Sequence, residues 1–377
     1  MVLYIVNICK KSEVDKMGMN LGEIDENFLQ ATTLGIENLH YHNIKDAPFK
    51  IYGADEDTFK KDGLWRISEE LLDKCPWHEW GAHCTAGFRV RFKTNSEYVA
   101  VKVKFVNQID IQYMAPNRMA CDLYRDYKNQ SRFVKRFTPP GDIVDSYEGV
   151  AHFGTNEDRY FTLNLPTYET VQEVYIGLED NATIENGMEY EDVKPIVYYG
   201  SSITQGGICH RPGNTYQSII CRRNNIDYKN IGFSGRAKAE IEVMEYLAGL
   251  DMSVFVYCAL NATELDFLKS VHERGYKIIR EKNPELPIIV VSGPHGAANE
   301  GKVSNFKYKR RIVEMQTYIN AFESGDENVY FVDGWQFFDF PEGDCCTVDG
   351  AHPSDLGFMH IADIIGNEID TILRKRL

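Results

Sequence analysis

The apolar residues of this chain change period near residue 190, and that change constrains the fold more than anything else in it. Before it, residues 88–93 (Phe-Arg-Val-Arg-Phe-Lys) and 98–105 alternate apolar with polar positions across a Thr94-Asn95-Ser96 turn. That is the pattern of strands buried on one face. Residues 159–165 and 170–178 read as further strands. Many short strands with polar turns imply an antiparallel β-sandwich. After the change, apolar runs come singly at 195–199, 253–259, 286–292 and 328–332, with a shorter strand at 226–229. Helical patterns separate them at 216–223, 237–248, 264–283, 308–322 and 356–373. Such alternation implies a parallel sheet covered by helices on both faces. Asn, Gly and Glu cluster over 181–194, where the periodicity lapses. The expectation is an N-terminal β-sandwich at 1–187 and a three-layer α/β/α domain at 188–377, and 377 residues suffice for both cores.

The apolar run Ile196-Val197-Tyr198-Tyr199 ends at Gly200 and is followed at once by Ser201-Ser202. The carboxyl edge of an α/β sheet is where ligands bind. A serine there is a nucleophile if a base reaches it, a third group orients the base, and donors await the oxyanion. Asp349-Gly350-Ala351-His352 offers the base and its orienter three residues apart, so one turn brings carboxylate to imidazole. Gly235 closes the segment after the 226–229 strand, and its N–H is a candidate oxyanion donor. Asn261 follows the 253–259 run and offers a side-chain amide, although it is also placed to cap the helix at 264. Spacing alone leaves Ser201 and Ser202 both open. Three further residues are candidate substrate contacts: Arg211, Trp80 and His295. Arg211 is equally placed to hold the turn after the nucleophile. The Trp77-His78-Glu79-Trp80 pair suits either a sugar-stacking platform or a buried pin in the sandwich. Asp122 reads as a buried carboxylate near the domain junction.

Together these residues resemble the SGNH (GDSL-type) hydrolases, whose four blocks match here as Gly200-Ser201-Ser202, Gly235, Asn261 and Asp349-Gly350-Ala351-His352. The resemblance implies Ser202 as nucleophile, His352 as general base and Asp349 as its orienter. It implies an oxyanion hole of the Ser202 N–H, the Gly235 N–H and the Asn261 amide. The chain departs from the pattern where Ser201 replaces the usual Asp, and where Cys258-Ala259-Leu260-Asn261 replaces Gly-x-x-Asn. A narrower subgroup pairs a Gly-Ser-Ser-Ile-Thr-Gln-Gly block with a later Arg-Pro-Gly, here 200–206 and Arg211-Pro212-Gly213. Its N-terminal β-domain, jelly-roll-like, is named for Gly-x-Asp-Leu-Tyr, matched by Ala120-Cys121-Asp122-Leu123-Tyr124 with Ala for Gly.

The net charge of −15 argues against nucleic acid, anionic membranes and a long polyanionic substrate. Nine cysteines, an odd number without any Cys-x-x-Cys, fit neither a disulfide framework nor a zinc site. They fit a reducing compartment, and the short apolar start followed by lysines is a poor signal peptide. The reading is a cytoplasmic serine esterase without metal or organic cofactor, compatible with a homo-oligomer. Its implied partner is a small-molecule or oligosaccharide ester, in the first place an acetylated oligosaccharide. Two alternatives stand beside it. One is a short-chain esterase or acyltransferase on another small molecule. The other is a carbohydrate-binding protein with a degenerate hydrolase domain.

Overall fold

The computed structural model describes residues 33–53, 63–106, 115–128, 130–140, 145–259, 264–295 and 302–374. Ten antiparallel strands come first: β1 (Leu39–Asn43), β2 (Lys50–Tyr52), β3 (Arg89–Thr94), β4 (Tyr98–Phe105), β5 (Cys121–Tyr127), β6 (Gln130–Phe137), β7 (Ser146–His152), β8 (Arg159–Asn164), β9 (Val171–Glu179) and β10 (Ile184–Asn186). They form one sheet in the order β1-β9-β4-β7 and a second in the order β10-β3-β8-β5-β6, with β2 also on β3. Alternate residues of facing strands meet between the sheets. Val90 and Phe92 of β3, Val99, Val101 and Val103 of β4, and Val174 and Ile176 of β9 share one buried cluster. Burial contributes about 1.5–3 kcal/mol for each such side chain.

Five parallel strands follow: β11 (Ile196–Gly200), β12 (Tyr228–Gly232), β13 (Val254–Tyr257), β14 (Ile288–Val291) and β15 (Val329–Val332). Their order is β12-β11-β13-β14-β15. The period of two divides each strand between two cores. Val197 and Tyr199 enter one with Phe255 and Tyr257, while Ile196 and Tyr198 enter the other with Val254 and Val256. The chain steps from β11 to one side and then crosses to the other. The crossover therefore reverses at β11, and a crevice opens above its carboxyl end.

Among the described residues, besides a four-residue turn of helix at Ala115–Arg118, the α-helices in chain order are α1 (Glu69–Lys74), α2 (Glu79–His83), α3 (Ser202–Gln205), α4 (Tyr216–Asn224), α5 (Ile241–Ala248), α6 (Leu265–Lys282), α7 (Lys302–Glu323) and α8 (Asp355–Arg374). Residues of α4 and α8 cover one face of the parallel sheet, and residues of α5 and α6 the other. Ile67, Leu71, Leu72 and Ala82, which precede most of the β-sandwich, also lie in the α5 and α6 core. Among the described residues no helix is long and apolar enough to cross a membrane. The eight described cysteines are unpaired.

Buried charge joins the two sheet systems. Asp122 on β5 accepts from Asn164 Nδ2 (2.9 Å), from Arg211 (2.9 Å) and from the Gly213 N–H (3.0 Å). The Asp-Leu-Tyr strand and the Arg-Pro-Gly turn, 89 residues apart, are thus two halves of one contact. Arg66 donates to the Asn230 and Gly232 carbonyls of β12 (3.0 and 2.7 Å), and Arg89 to the Tyr228 carbonyl (3.2 Å).

Candidate active site

The nucleophile turn is built by a close approach. A Cβ on Gly200 would collide with the Thr204 hydroxyl, so only glycine lets the strand fold straight into α3. Ser201 is buried and caps that helix, its Oγ accepting the Ile203 N–H (3.3 Å). Ser202 is the first helical residue, so its N–H has no acceptor within the helix. Its carbonyl accepts from the N–H groups of Gly206 (3.0 Å) and Gly207 (2.8 Å). A third donor is the Tyr168 hydroxyl (3.2 Å), which comes from the β-domain side.

Ser202 Oγ lies 2.9 Å from His352 Nε2. His352 Nδ1 lies 2.7 Å from Asp349 Oδ2. The other carboxylate oxygen, Asp349 Oδ1, accepts the N–H groups of Ala351 (2.9 Å) and His352 (2.7 Å), which closes the turn and fixes the carboxylate. Burial pushes the Asp349 carboxyl up. The His352 backbone N–H, its ring and the Ala351 N–H outweigh that and hold it below its usual value. Hydroxyl, imidazole and carboxylate stand in line, an arrangement in which the ring can take the hydroxyl proton while the carboxylate steadies the charge that forms.

Gly235 is on the loop that follows β12. The Phe233 N–H bonds the Gly200 carbonyl (2.8 Å) and the Ser234 N–H bonds Gln205 Oε1 (2.9 Å), which ties the loop after β12 to the nucleophile turn. Gly235 follows with φ of 70°, in the left-handed region that glycine favours. Its N–H meets no acceptor among the described residues. Asn261 lies outside the described residues.

The three candidate substrate contacts diverge. Arg211 turns to the β-domain instead, where it donates to Asp122 and the Tyr124 hydroxyl and its guanidinium sits 4.1 Å from the Phe133 ring centre. It serves the domain contact. Trp80 is half-buried with its ring 5.7 Å from that of Tyr168, one residue removed from the nucleophile. Its neighbour Trp77 points outward and is 46% exposed, so the two indoles form no common platform. His295 packs on Trp335 with ring centres 4.4 Å apart, beyond the ends of β14 and β15. Sequence reasoning missed Tyr168. No motif surrounds it, and only its contact with Ser202, 34 residues on, marks it.

A parallel α/β/α sheet with a serine, a histidine and an aspartate in line at its carboxyl edge defines the serine-hydrolase class. Residues 193–370 match the GDSL-like lipase/acylhydrolase family, and residues 39–184 match the N-terminal domain of SGNH-hydrolase-type esterases. The chain belongs to the SGNH (GDSL-type) hydrolases, a family of ester hydrolases. No curated protein sequence matches it. Among solved structures it is similar to a putative GDSL-like lipase from Bacteroides ovatus, at 25% identity and a TM-score of 0.81 over 89% of this chain and 98% of that one. It is similar to SsfX3, a salicylyl-acyltransferase from a tetracycline biosynthetic pathway, at 18% identity and a TM-score of 0.71 over 89% and 98%. It is also similar to a family two carbohydrate esterase from Clostridium thermocellum solved with cellohexaose, at 14% identity and a TM-score of 0.57 over 86% and 99%.

Proposed function

We propose that the protein is a serine esterase that removes acetyl groups from acetylated oligosaccharides. The observation that carries the esterase chemistry is the line from Ser202 Oγ through His352 to Asp349, at 2.9 and 2.7 Å. Ser202 Oγ attacks the ester carbonyl as His352 Nε2 takes its proton. The negative charge falls on the carbonyl oxygen, for which the N–H groups of Ser202 and Gly235 are the candidate donors. His352 returns the proton to the departing sugar hydroxyl, which leaves an acetyl-serine. Water then gives a proton to His352 and attacks that ester, releasing acetate and restoring Ser202. Every proton is accounted for by the histidine, so the cycle requires no cofactor.

The sugar half of the proposal is supported by the likeness to the carbohydrate esterase, which runs through both the β-sandwich and the α/β/α domain. A second reading is an acyltransferase, favoured by the higher TM-score to SsfX3. It shares the acyl-enzyme and differs only in the acceptor, an alcohol in place of water. Acetate release from acetylated xylo- and manno-oligosaccharides, measured beside 4-nitrophenyl acetate and a Ser202→Ala control, separates them. The proposal expects Ser202-dependent acetate from the sugars. Activity confined to the aryl ester removes the sugar assignment. Transfer of acetyl to an added alcohol in preference to water establishes the second reading.

A further inference from the structure

A cleft of about 560 Å³ lies where the β-sandwich meets α4 and α8, and the esterase chemistry does not use it. Its lining comes from three elements: Gln130 and Ser131 of β6, Ile219 and Arg222 of α4, and Asp355 and Met359 of α8. β6 is the edge strand of its sheet, so the helices and not a further strand stand beside it. The lining is chemically mixed. Ile219 and Met359 are apolar, whereas Gln130, Ser131 and Asn214 bring amides and a hydroxyl. The charged groups are already engaged. Asp355 accepts the His210 N–H (3.1 Å) and the Asn214 amide (2.7 Å). Arg222 donates to the Gly213 carbonyl (2.6 Å) and stands 4.2 Å from the Tyr124 ring centre, and Arg223 pairs with Asp363 (2.6 Å). Apolar surface beside neutral hydrogen-bonding groups, with the charges answered inside the protein, suits an uncharged ligand that has apolar faces and hydroxyl edges.

An exposed aromatic ring borders this cleft. Phe133 is two residues beyond Ser131 on β6, so the two side chains stand on the same face about 7 Å apart. Their partners across β5, Tyr124 and Asp126, are also two residues apart. The Arg211 guanidinium sits 4.1 Å from the Phe133 ring centre and is itself bonded to Asp122, while the Tyr124 ring meets Phe133 edge-on at 6.0 Å. Braced in this way, Phe133 is still 47% exposed. The cleft is also close to the triad. Asp355 follows His352 by three residues, at most about 11 Å of chain, and it bonds His210 on the loop after the nucleophile helix.

We propose that this cleft is a sugar subsite that holds the neutral oligosaccharide chain of the ester substrate, with Phe133 as its stacking ring. The inference rests on the esterase reading above and assigns the binding of its sugar half. Phe133 supplies the platform that Trp77 and Trp80 do not form. A sugar ring laid on Phe133 turns its hydroxyls toward the Ser131 and Gln130 side of the cleft, and Asn214 lies on the side of Asp355. Because the cleft opens from the first turn of α8 and not at Ser202 itself, only a substrate of several sugar units touches both. A monosaccharide ester reaches the triad alone.

The test titrates the full chain with unacetylated xylohexaose, mannohexaose and cellohexaose by calorimetry, which needs no turnover. At least one hexaose should bind at one site per chain. Phe133→Ala should weaken that binding about tenfold, as expected for the loss of one stacked ring, and Phe133→Tyr should restore it. Trp77→Ala, which removes another exposed aromatic ring of the same region of sequence, should leave it unchanged. A second readout uses wild type alone. The ratio of kcat/KM for the acetylated hexaose to that for the matching acetylated monosaccharide should be about ten, expressed in KM, and Phe133→Ala should bring it to about one. Binding of none of the three hexaoses overturns the inference, as does binding that survives Phe133→Ala or a wild-type ratio of one. Such a loss beside Ser202-dependent hydrolysis of 4-nitrophenyl acetate leaves the esterase reading standing. Phe133-dependent binding beside equal 4-nitrophenyl acetate rates for wild type and Ser202→Ala removes the esterase reading and leaves the sugar site.

Discussion

Ser201 is buried, and its hydroxyl is occupied by the Ile203 N–H, whereas the Ser202 hydroxyl reaches an imidazole. That difference is why the proposed esterase chemistry is given to the second serine of the pair. Asp349 matters next, because a carboxylate held below its usual pKa stays ionised wherever the ring needs a partner. Such a depressed carboxyl stabilises the fold above its unfolded value near 3.8, and that contribution is lost as the pH falls through the folded value. Asp349→Asn should leave the fold intact and lower kcat by a factor on the order of 10³–10⁴, read with 4-nitrophenyl acetate. A loss under tenfold would mean that Asp349 does not hold the ring. These residues were legible in the sequence because the chemistry demands particular residue types at strand ends. Tyr168 was not, since a long-range bond to a backbone carbonyl leaves no local pattern.

Elements read well where one apolar period runs through them and poorly where backbone or charge intervenes. The helix expected at 237–248 begins at Ile241, because Ala239 takes a positive φ of 54° and its N–H bonds the Tyr199 hydroxyl (2.9 Å). α7 begins at Lys302, six residues ahead of the expected 308, since its first turns carry charge and not an apolar stripe. β5 and β7 escaped the period of two because Asp122, Asp126 and Glu148 are buried within them against polar partners. At this scale Glu314 on α7 carries a prediction. Its folded pKa is raised from 4.5 to about 7 by burial, so between those values the folded chain keeps a proton that the unfolded chain has released. Stability therefore falls as pH rises through that window. Glu314→Gln should flatten this dependence, measured as Tm from pH 4.5 to 7.5. An unchanged slope would place the titration elsewhere.

Across the whole molecule, the β-sandwich is part of the site's support. Tyr168 bonds the Ser202 carbonyl, the Gln205 side chain bonds the Thr167 carbonyl (3.3 Å), and Asp122 binds Arg211 and Gly213 just past the nucleophile helix. The two motifs, Asp-Leu-Tyr and Arg-Pro-Gly, were visible separately in the sequence. Their contact was not, because pairing across 89 residues depends on the three-dimensional fold. Arg211→Ala would strand a fully buried carboxylate and should cost about 3 kcal/mol in denaturant unfolding. A change under about 0.5 kcal/mol would show that the contact is incidental. The central claim is that Ser202 is the nucleophile and His352 its base. Labelling with a fluorophosphonate, followed by peptide mass spectrometry, tests it most directly. One label per chain on Ser202, abolished in His352→Ala, is the predicted result. A label on Ser201, or labelling that persists without His352, would contradict it.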